Sequence, residues 1–269
     1  MRKFEIYTNT TKDPMRAFER EVCSFLHGQG AEYVTCHTKG FTPECCIVLG
    51  GDGTVLRAAE WTRQERIPIL GINLGTLGYL AETERACWRD ALMQLLQDHY
   101  SVEDRMMIEG FRTGDETEGR PCHALNDIVI GRCGRLRMMS FDVFVGGVLL
   151  NTYRADGIII CTPTGSTAYN LSAGGPIVEP GARMMVLTPI CPHQIGVRSI
   201  VLSAGSVIEI VIHASEHDED RIAVADFDGN ERMELQPGVP FVVQCSQEVT
   251  RLIKLENRSF LETLRQKMN

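Results

Sequence analysis

The run Gly50-Gly51-Asp52-Gly53-Thr54 sets one carboxylate among glycines, directly after an apolar stretch and directly before a helical pattern. A glycine-rich turn from strand to helix points backbone N–H groups outward at a helix N-terminus, which suits phosphate oxygens. A carboxylate there repels phosphate. Asp52 therefore makes chemical sense if it faces a hydroxyl to be oriented or deprotonated, or a divalent cation bridging the phosphates. A tight turn capped by Asp52 is the plainer alternative, although so many glycines exceed what a cap needs. The lysine motif of the ordinary phosphate-binding loop is absent from the sequence.

A second, longer signal runs from Asp156 through Gly157-Ile158-Ile159-Ile160-Cys161 into Thr162-Pro163-Thr164-Gly165-Ser166-Thr167-Ala168-Tyr169, and on to Ser172-Ala173-Gly174-Gly175-Pro176. An apolar strand thus enters a cluster of hydroxyl residues and a short helical stretch. Such hydroxyls bind a polar, phosphate-bearing ligand without adding charge, although Ser, Thr, Gly and Pro also make ordinary turns. Tyr169 follows the cluster directly, which favours a ring packed on the ligand over a core position. Arg57, one turn into the helix after GGDGT, reads as solvent-facing, and Arg154 stands just before Asp156; either could offset phosphate charge. Asp228-Gly229 between two β runs reads as a hairpin turn, and His193 fits a structural histidine as well as a ligand contact.

These residues need a frame. Strands are expected over 4–8, 31–36, 45–49 and 67–73. A helix capped at Asp13-Pro14 should run to about residue 27, one should span about 54–63, and another, capped by Thr83, should run to about 99 with Cys87, Trp88, Ala91, Leu92, Leu95 and Leu96 on one face. Alternating strands and helices imply a parallel sheet covered on both faces. After about residue 101 the chain turns β-rich, with strands expected over 106–111, 124–130, 137–145, 148–154, 157–161, 199–202, 207–213, 222–227, 241–245 and 249–255. A second domain of two packed sheets follows, and residues 259–267 form a last helix. Residues 216–221 (EHDEDR) read as a solvated loop.

The 269 residues, 43% hydrophobic and 23% charged, suit one large or two modest globular domains. A net charge of -8 argues against a nucleic-acid binder, so an anionic substrate must be met by local donors, arginines or a metal. Ten scattered cysteines without a Cys-x-x-Cys pair read as reduced core residues, which with no signal peptide or long apolar span points to the cytoplasm and away from a membrane.

GGDGT, the Asn73-to-Leu80 segment NLGTLGYL, ALND at 124–127, the Asp156-to-Val178 segment and LTPICPH at 187–193 together resemble the ordered motifs of bacterial NAD kinases. GGDGT alone also occurs in related lipid kinases and in phosphofructokinases, but the long segment is specific. The resemblance covers almost the whole chain. It implies transfer of a phosphoryl group from ATP or another donor to the 2′-hydroxyl of the adenosine ribose of NAD, giving NADP, with Mg2+ or Mn2+ as cofactor. It further implies a Rossmann-like α/β domain (1–100), a β-sandwich NAD-binding domain (101–255), a last helix (256–269) packing back on the first, and a homo-oligomer, dimer or tetramer.

Carried over, Asp52 is the catalytic base or orienter, and Gly51, Gly53 and Thr54 approach phosphates. Asn126 and Asp127 bind NAD, Asp156 is a second ligand-facing carboxylate, and Thr164, Thr167, Ala168, Tyr169 and Ser172 line the dinucleotide site. Tyr79 matches a Phe position beside the ligand. The family pattern has Asn-Glu where this chain has Asn126-Asp127, a carboxylate one methylene shorter that needs a shifted backbone or a water to make the same contact. Two alternatives keep distinct signatures: a lipid kinase needs an apolar acyl entrance, which is not recognisable in the sequence, and a silent dinucleotide sensor needs no Asp52.

Overall fold

The computed structural model describes residues 1–35, 40–76, 78–114, 120–132, 138–214, 223–255 and 259–268. The 216–221 charge run, Cys36, Cys133 and the strand ends expected at residues 36, 137 and 222 lie outside the described residues. The chain divides into two compact units, residues 1–105 with 248–269, and residues 106–247.

The first unit contains β1 (Lys3–Thr8), α1 (Ala17–Gly28), β2 (Glu32–Val34), β3 (Cys45–Gly50), α2 (Asp52–Glu65), β4 (Ile69–Asn73), the short β5 (Thr83–Glu84) and α3 (Trp88–Leu96). Strands β2, β1, β3 and β4 lie side by side in that order, all parallel. Every residue of β3 and β4 is buried, as a sheet covered on both faces requires. Phe18, Val22 and Leu26 of α1 and Trp88, Leu92 and Leu95 of α3 supply much of the apolar cover. The chain leaves β1 to one side for β2 and returns past it to β3. The crevice at the carboxyl ends of β1 and β3 is therefore a topological switch point, where open α/β sheets take their ligands.

Two local expectations need correction. Pro14 does not start α1; the helix begins at Ala17, and Asp13 caps it from a preceding turn by accepting the N–H groups of Ala17 (2.9 Å) and Glu19 (3.0 Å). Thr83 is no cap either. It pairs with Ile72 in β5, a 3₁₀ turn follows at Arg85–Cys87, and α3 spans only Trp88–Leu96.

The second unit begins within β6 (Ser101–Arg112) and holds β7 (Cys122–Ala124), β8 (Asp127–Arg132), β9 (Met139–Val145), β10 (Val148–Ala155), β11 (Gly157–Cys161), α4 (Tyr169–Ser172), β12 (Met184–Ile190), β13 (Ile200–Ser203), β14 (Ile208–Ile212), β15 (Ala223–Phe227) and β16 (Glu231–Leu235). One antiparallel sheet runs β13-β12-β11-β8-β15-β16. Facing it are β10, β9 and β14, then the first residues of β17 (Phe241–Lys254), with a core of Ile128, Ile158, Ile160, Phe141, Ile210, Phe227 and Phe241 between the layers. β11 is buried on both faces: Ile158 and Ile160 point into that core, while Ile159 and Cys161 pack against Ala173 and Val178 of the AGGPIV segment.

Strand β17 is continuous where two strands were expected, and its last residues return to the first unit, Leu252 pairing with Ile69. There α5 (Phe260–Met268) sets Phe260 6.2 Å from the Tyr79 ring and Lys267 Nζ 4.0 Å above it, as the expected return of the last helix requires. Among the described cysteines Cys45, Cys46 and Cys161 are buried and all are free, but Cys87 and Cys191 are exposed and are not core residues. No helix among the described residues is long and apolar enough to cross a membrane.

Candidate active site

In the first unit the motif residues gather at the carboxyl ends of β1, β3 and β4. Asn9 N–H donates to Leu49 O (2.8 Å) and Leu74 N–H to Gly50 O (2.8 Å), which stitches the three strand ends together. α2 starts at Asp52 itself, with Gly51 as its N-cap, so the carboxylate sits in the first turn, where the helix dipole favours negative charge. It is fixed from outside the helix: Oδ2 accepts the N–H of Tyr79 (2.7 Å) and Oδ1 that of Leu80 (3.1 Å). Gly78 makes room for this, since a Cβ there would lie 1.8 Å from Asp52 Oδ1. Gly51 and Thr54 are buried and Gly53 is exposed. Burial, then the Asp52 charge, pushes the Tyr79 phenol up. Arg57 points into solvent from α2, away from these contacts.

Sequence reasoning missed two residues here. Asn9 Nδ2 donates to Thr54 Oγ1 (3.1 Å), and its Oδ1 accepts the N–H groups of Thr11 (3.0 Å) and Lys12 (3.3 Å). The turn so formed carries the Lys12 ammonium against Gly51 and Gly75, where a Cβ would stand 2.8 Å and 2.9 Å from Nζ. The available signal was an Asn directly after β1, a strand end in a parallel sheet.

In the second unit Asn126, Asp127 and the TPTG turn meet at the end of β11. Thr162 N–H donates to Asn126 O (2.9 Å), Thr162 Oγ1 to Leu125 O (2.5 Å), and Gly165 N–H to Thr162 Oγ1 (3.1 Å). Asp228 was read only as part of a hairpin turn. It is that, with left-handed backbone at Asp228 and Gly229, but its carboxylate also accepts the N–H groups of Leu125 (2.7 Å), Asn126 (2.9 Å) and Asp127 (3.0 Å).

Within the hydroxyl cluster, Thr162 and Ser166 spend their hydroxyls inside the turn, Ser166 Oγ donating to Pro163 O (2.7 Å) and accepting from Val178 N–H (2.9 Å). Buried Asn170 ties the turn to Pro176 and Thr188. Thr164 is buried, Thr167 and Ala168 are half-buried, and Tyr169 and Ser172 are exposed. Arg154 and Asp156 do not join this cluster. They are exposed at the opposite end of β11, where Arg154 O accepts the N–H of His193 (2.9 Å), about 16 Å away along a five-residue strand.

Asp127 is only 6% exposed, and burial followed by the Asp228 charge pushes its carboxyl up to about 7 from an ordinary 3.8. Asp228 rises to about 6 by burial, restrained by its three N–H bonds. Because the folded chain holds the Asp127 proton more tightly than the unfolded one, the stability this confers is present below pH 3.8 and is lost as pH rises through about 7. Asp127→Asn removes the titration. Urea unfolding should show the variant gaining on the parent between pH about 4 and about 7, by at most about 1.4 kcal/mol per pH unit, with no further gain above. A difference independent of pH would count against the buried-carboxyl assignment.

Residues 5–100 match the ATP-NAD kinase N-terminal domain and residues 125–255 the ATP-NAD kinase C-terminal domain. The chain belongs to the NAD kinase family. NAD kinases of Lachnoclostridium phytofermentans and Lachnospira eligens are 42% and 41% identical to it, the first over 99% of both chains and the second over 100% of both. In fold it is similar to the yeast NADH kinase complexed with NADH (TM-score 0.83, 22% identity, 100% of this chain and 87% of that one). It is also similar to the NAD kinase from Archaeoglobus fulgidus in complex with ATP (TM-score 0.78, 24% identity, 98% and 99%). As an NAD kinase the chain is a phosphotransferase with an alcohol acceptor, forming NADP from NAD with ATP as donor. The lipid-kinase alternative falls with that membership, even though the second unit does expose apolar side chains, Val148, Leu149, Ile195 and Val201 among them.

Proposed function

We propose that Asp52 is the group that orients the adenosine 2′-hydroxyl of NAD and takes its proton as the ribose oxygen attacks the terminal phosphorus of the donor, releasing ADP. The observation that carries this reading is the pair of backbone bonds on its carboxylate: they fix both oxygens yet leave each a free lone pair for a hydroxyl. Gly51, Gly53 and Thr54 let the donor phosphates approach the start of α2, with Tyr79 beside the ligand and Arg57 adding only distant positive charge. Asn126, Asp127, Thr164, Thr167, Ala168, Tyr169 and Ser172 hold the dinucleotide; at the opposite end of β11 Asp156 takes the ligand-facing role that the family pattern gives it only where the ligand extends that far, and Arg154 beside it offsets phosphate charge. A protonated Asp127 can donate to the ligand as well as accept from it.

Among the described residues no three acidic, His or Cys side chains converge on one point, so no protein-built cation cage is present there. Mg2+ or Mn2+ would be held chiefly by the donor phosphates and water, as Mg2+ commonly is. The cation supplies charge neutralisation at the phosphates. A second copy of the chain covers the exposed edges of β10 and β13, where Leu150, Tyr153, Ile195, Val197 and Ile200 line a groove of about 450 Å³, giving a homo-oligomer. The free thiols of the described cysteines support a cytoplasmic location, and the net charge of -8 supports small-molecule substrates over a nucleic-acid partner.

Incubating the protein, labelled ATP and Mg2+ with NAD, 2′-deoxy-NAD, diacylglycerol and sphingosine in parallel tests the acceptor. Label should enter NAD alone, because 2′-deoxy-NAD keeps its position but lacks the nucleophile. Labelling of either lipid, or of 2′-deoxy-NAD at a comparable rate, would overturn the assignment.

A further inference from the structure

We propose that Lys12 is a ligand of the donor's phosphate chain, a role that rests on the placement of the donor at the GGDGT turn. An exposed lysine usually extends into water. This one folds back so that its Nζ lies against Gly51 of that turn and Gly75 of the neighbouring one, at the crevice between the ends of β1 and β3. No carboxylate explains the position: among the described residues Lys12 has no ion-pair partner, and the adjacent Asp13 spends both oxygens on α1. Both contacting residues are glycines, and any side chain on either would meet the ammonium.

The backbone that presents Lys12 is also tied to the motif it serves. Asn9 holds the Lys12 N–H with its carbonyl (3.0 Å) and its side chain, while its amide reaches Thr54. Asn73 Oδ1 accepts Gly75 N–H (3.0 Å) and Nδ2 donates to Thr76 O (2.7 Å), which sets the opposite wall. A compact cation is thus held over two bare backbones at the turn that carries Asp52, whose carboxylate the N–H groups of Tyr79 and Leu80 fix. A triphosphate entering there brings several negative charges that a chain of net charge -8 must neutralise locally. Lysine meets phosphate as a point charge and needs no bidentate geometry.

The test measures kcat and KM for ATP and for NAD, and the inhibition constant of inorganic tripolyphosphate against ATP, in Lys12→Met, Lys12→Arg and the parent. Lys12→Met should raise KM for ATP and the tripolyphosphate constant by about tenfold, with KM for NAD within about twofold. Lys12→Arg, keeping the charge, should recover part of the loss. Gly75→Ala leaves the charge in place but pushes the ammonium aside, so it should shift the ATP and tripolyphosphate constants in the same direction. Unchanged ATP and tripolyphosphate constants in Lys12→Met would overturn the proposal, as would an equal rise in KM for ATP and NAD. A parent whose NAD phosphorylation does not depend on Asp52 would instead sink the underlying reading of the turn.

Discussion

Asp52→Asn should lower turnover by about 10² or more while the protein stays folded, the scale expected when a positioned acid-base group is removed. The substitution keeps the size of the side chain and removes its charge. The geometry adds a complication. Asp52 accepts one backbone N–H on each oxygen, from Tyr79 and from Leu80, and an amide can accept only one of them. Its NH2 group must then face the other N–H, so the Gly78-to-Leu80 turn loses one anchor. A drop in Tm of a few degrees is expected from that alone, roughly 1 kcal/mol. NAD binding, which the proposed site rests mainly on residues 126–172, should change by less than about threefold in calorimetry.

Gly78→Ala supplies the complementary arm of this experiment. Its Cβ would stand 1.8 Å from Asp52 Oδ1, so the carboxylate keeps its charge and loses its place. If position and charge are both required, the two variants lose turnover together. A folded Asp52→Asn enzyme with near-parental turnover would remove Asp52 from the chemistry and leave it as an anchor for the 78–80 turn.

Much of this site could be read from sequence because its signals are local. An apolar run, a glycine turn and a helical period in succession left little choice for β3, GGDGT and α2, and the helix expected over about 54–63 spans Asp52–Glu65. The failures share a physical cause: long-range pairing decides where local signals are ambiguous. Thr83 before an apolar periodic run carries the signature of an N-cap, yet pairing with Ile72 draws it into a strand. β12 contains Pro189, which counts against a strand in sequence, but it sits opposite Ile158 in the sheet. β16 (ERMEL) shows only the pair Met233 and Leu235 at strand spacing, too short an alternation to reveal it, and is a strand because β15 offers it a partner. Asp228 was correctly a turn residue. That its carboxylate pins the backbone of Leu125, Asn126 and Asp127 depends on β15 lying beside β8, a contact spanning about a hundred residues of chain.

Gly165→Ala is expected to be the most damaging single methyl in the second unit. An ideal Cβ at residue 165 would lie 2.1 Å from Asn126 O, 2.4 Å from its carbonyl carbon and 2.7 Å from its Cα. These are backbone atoms, so no side chain can swing away. Nor can the backbone yield easily: Asn126 O is bonded to Thr162 N–H, Leu125 O to the Thr162 hydroxyl, and the N–H groups of residues 125–127 to Asp228. Relief must come from displacing the TPTG turn, breaking the Gly165-to-Thr162 bond and drawing Thr164 and Thr167 away from Asn126. Overpacking at such a site costs about 3 kcal/mol or more. The same displacement should weaken NAD binding by about tenfold or more, because it separates two groups of residues assigned to one ligand. Gly181→Ala is the matched control, since its Cβ meets nothing within 4 Å and its backbone is not in the left-handed region. Thermal unfolding and NAD calorimetry on the two variants decide the matter. A Gly165→Ala protein with parental Tm and parental NAD affinity would show that the turn is free to move, and would dissolve the link between the hydroxyl cluster and Asn126.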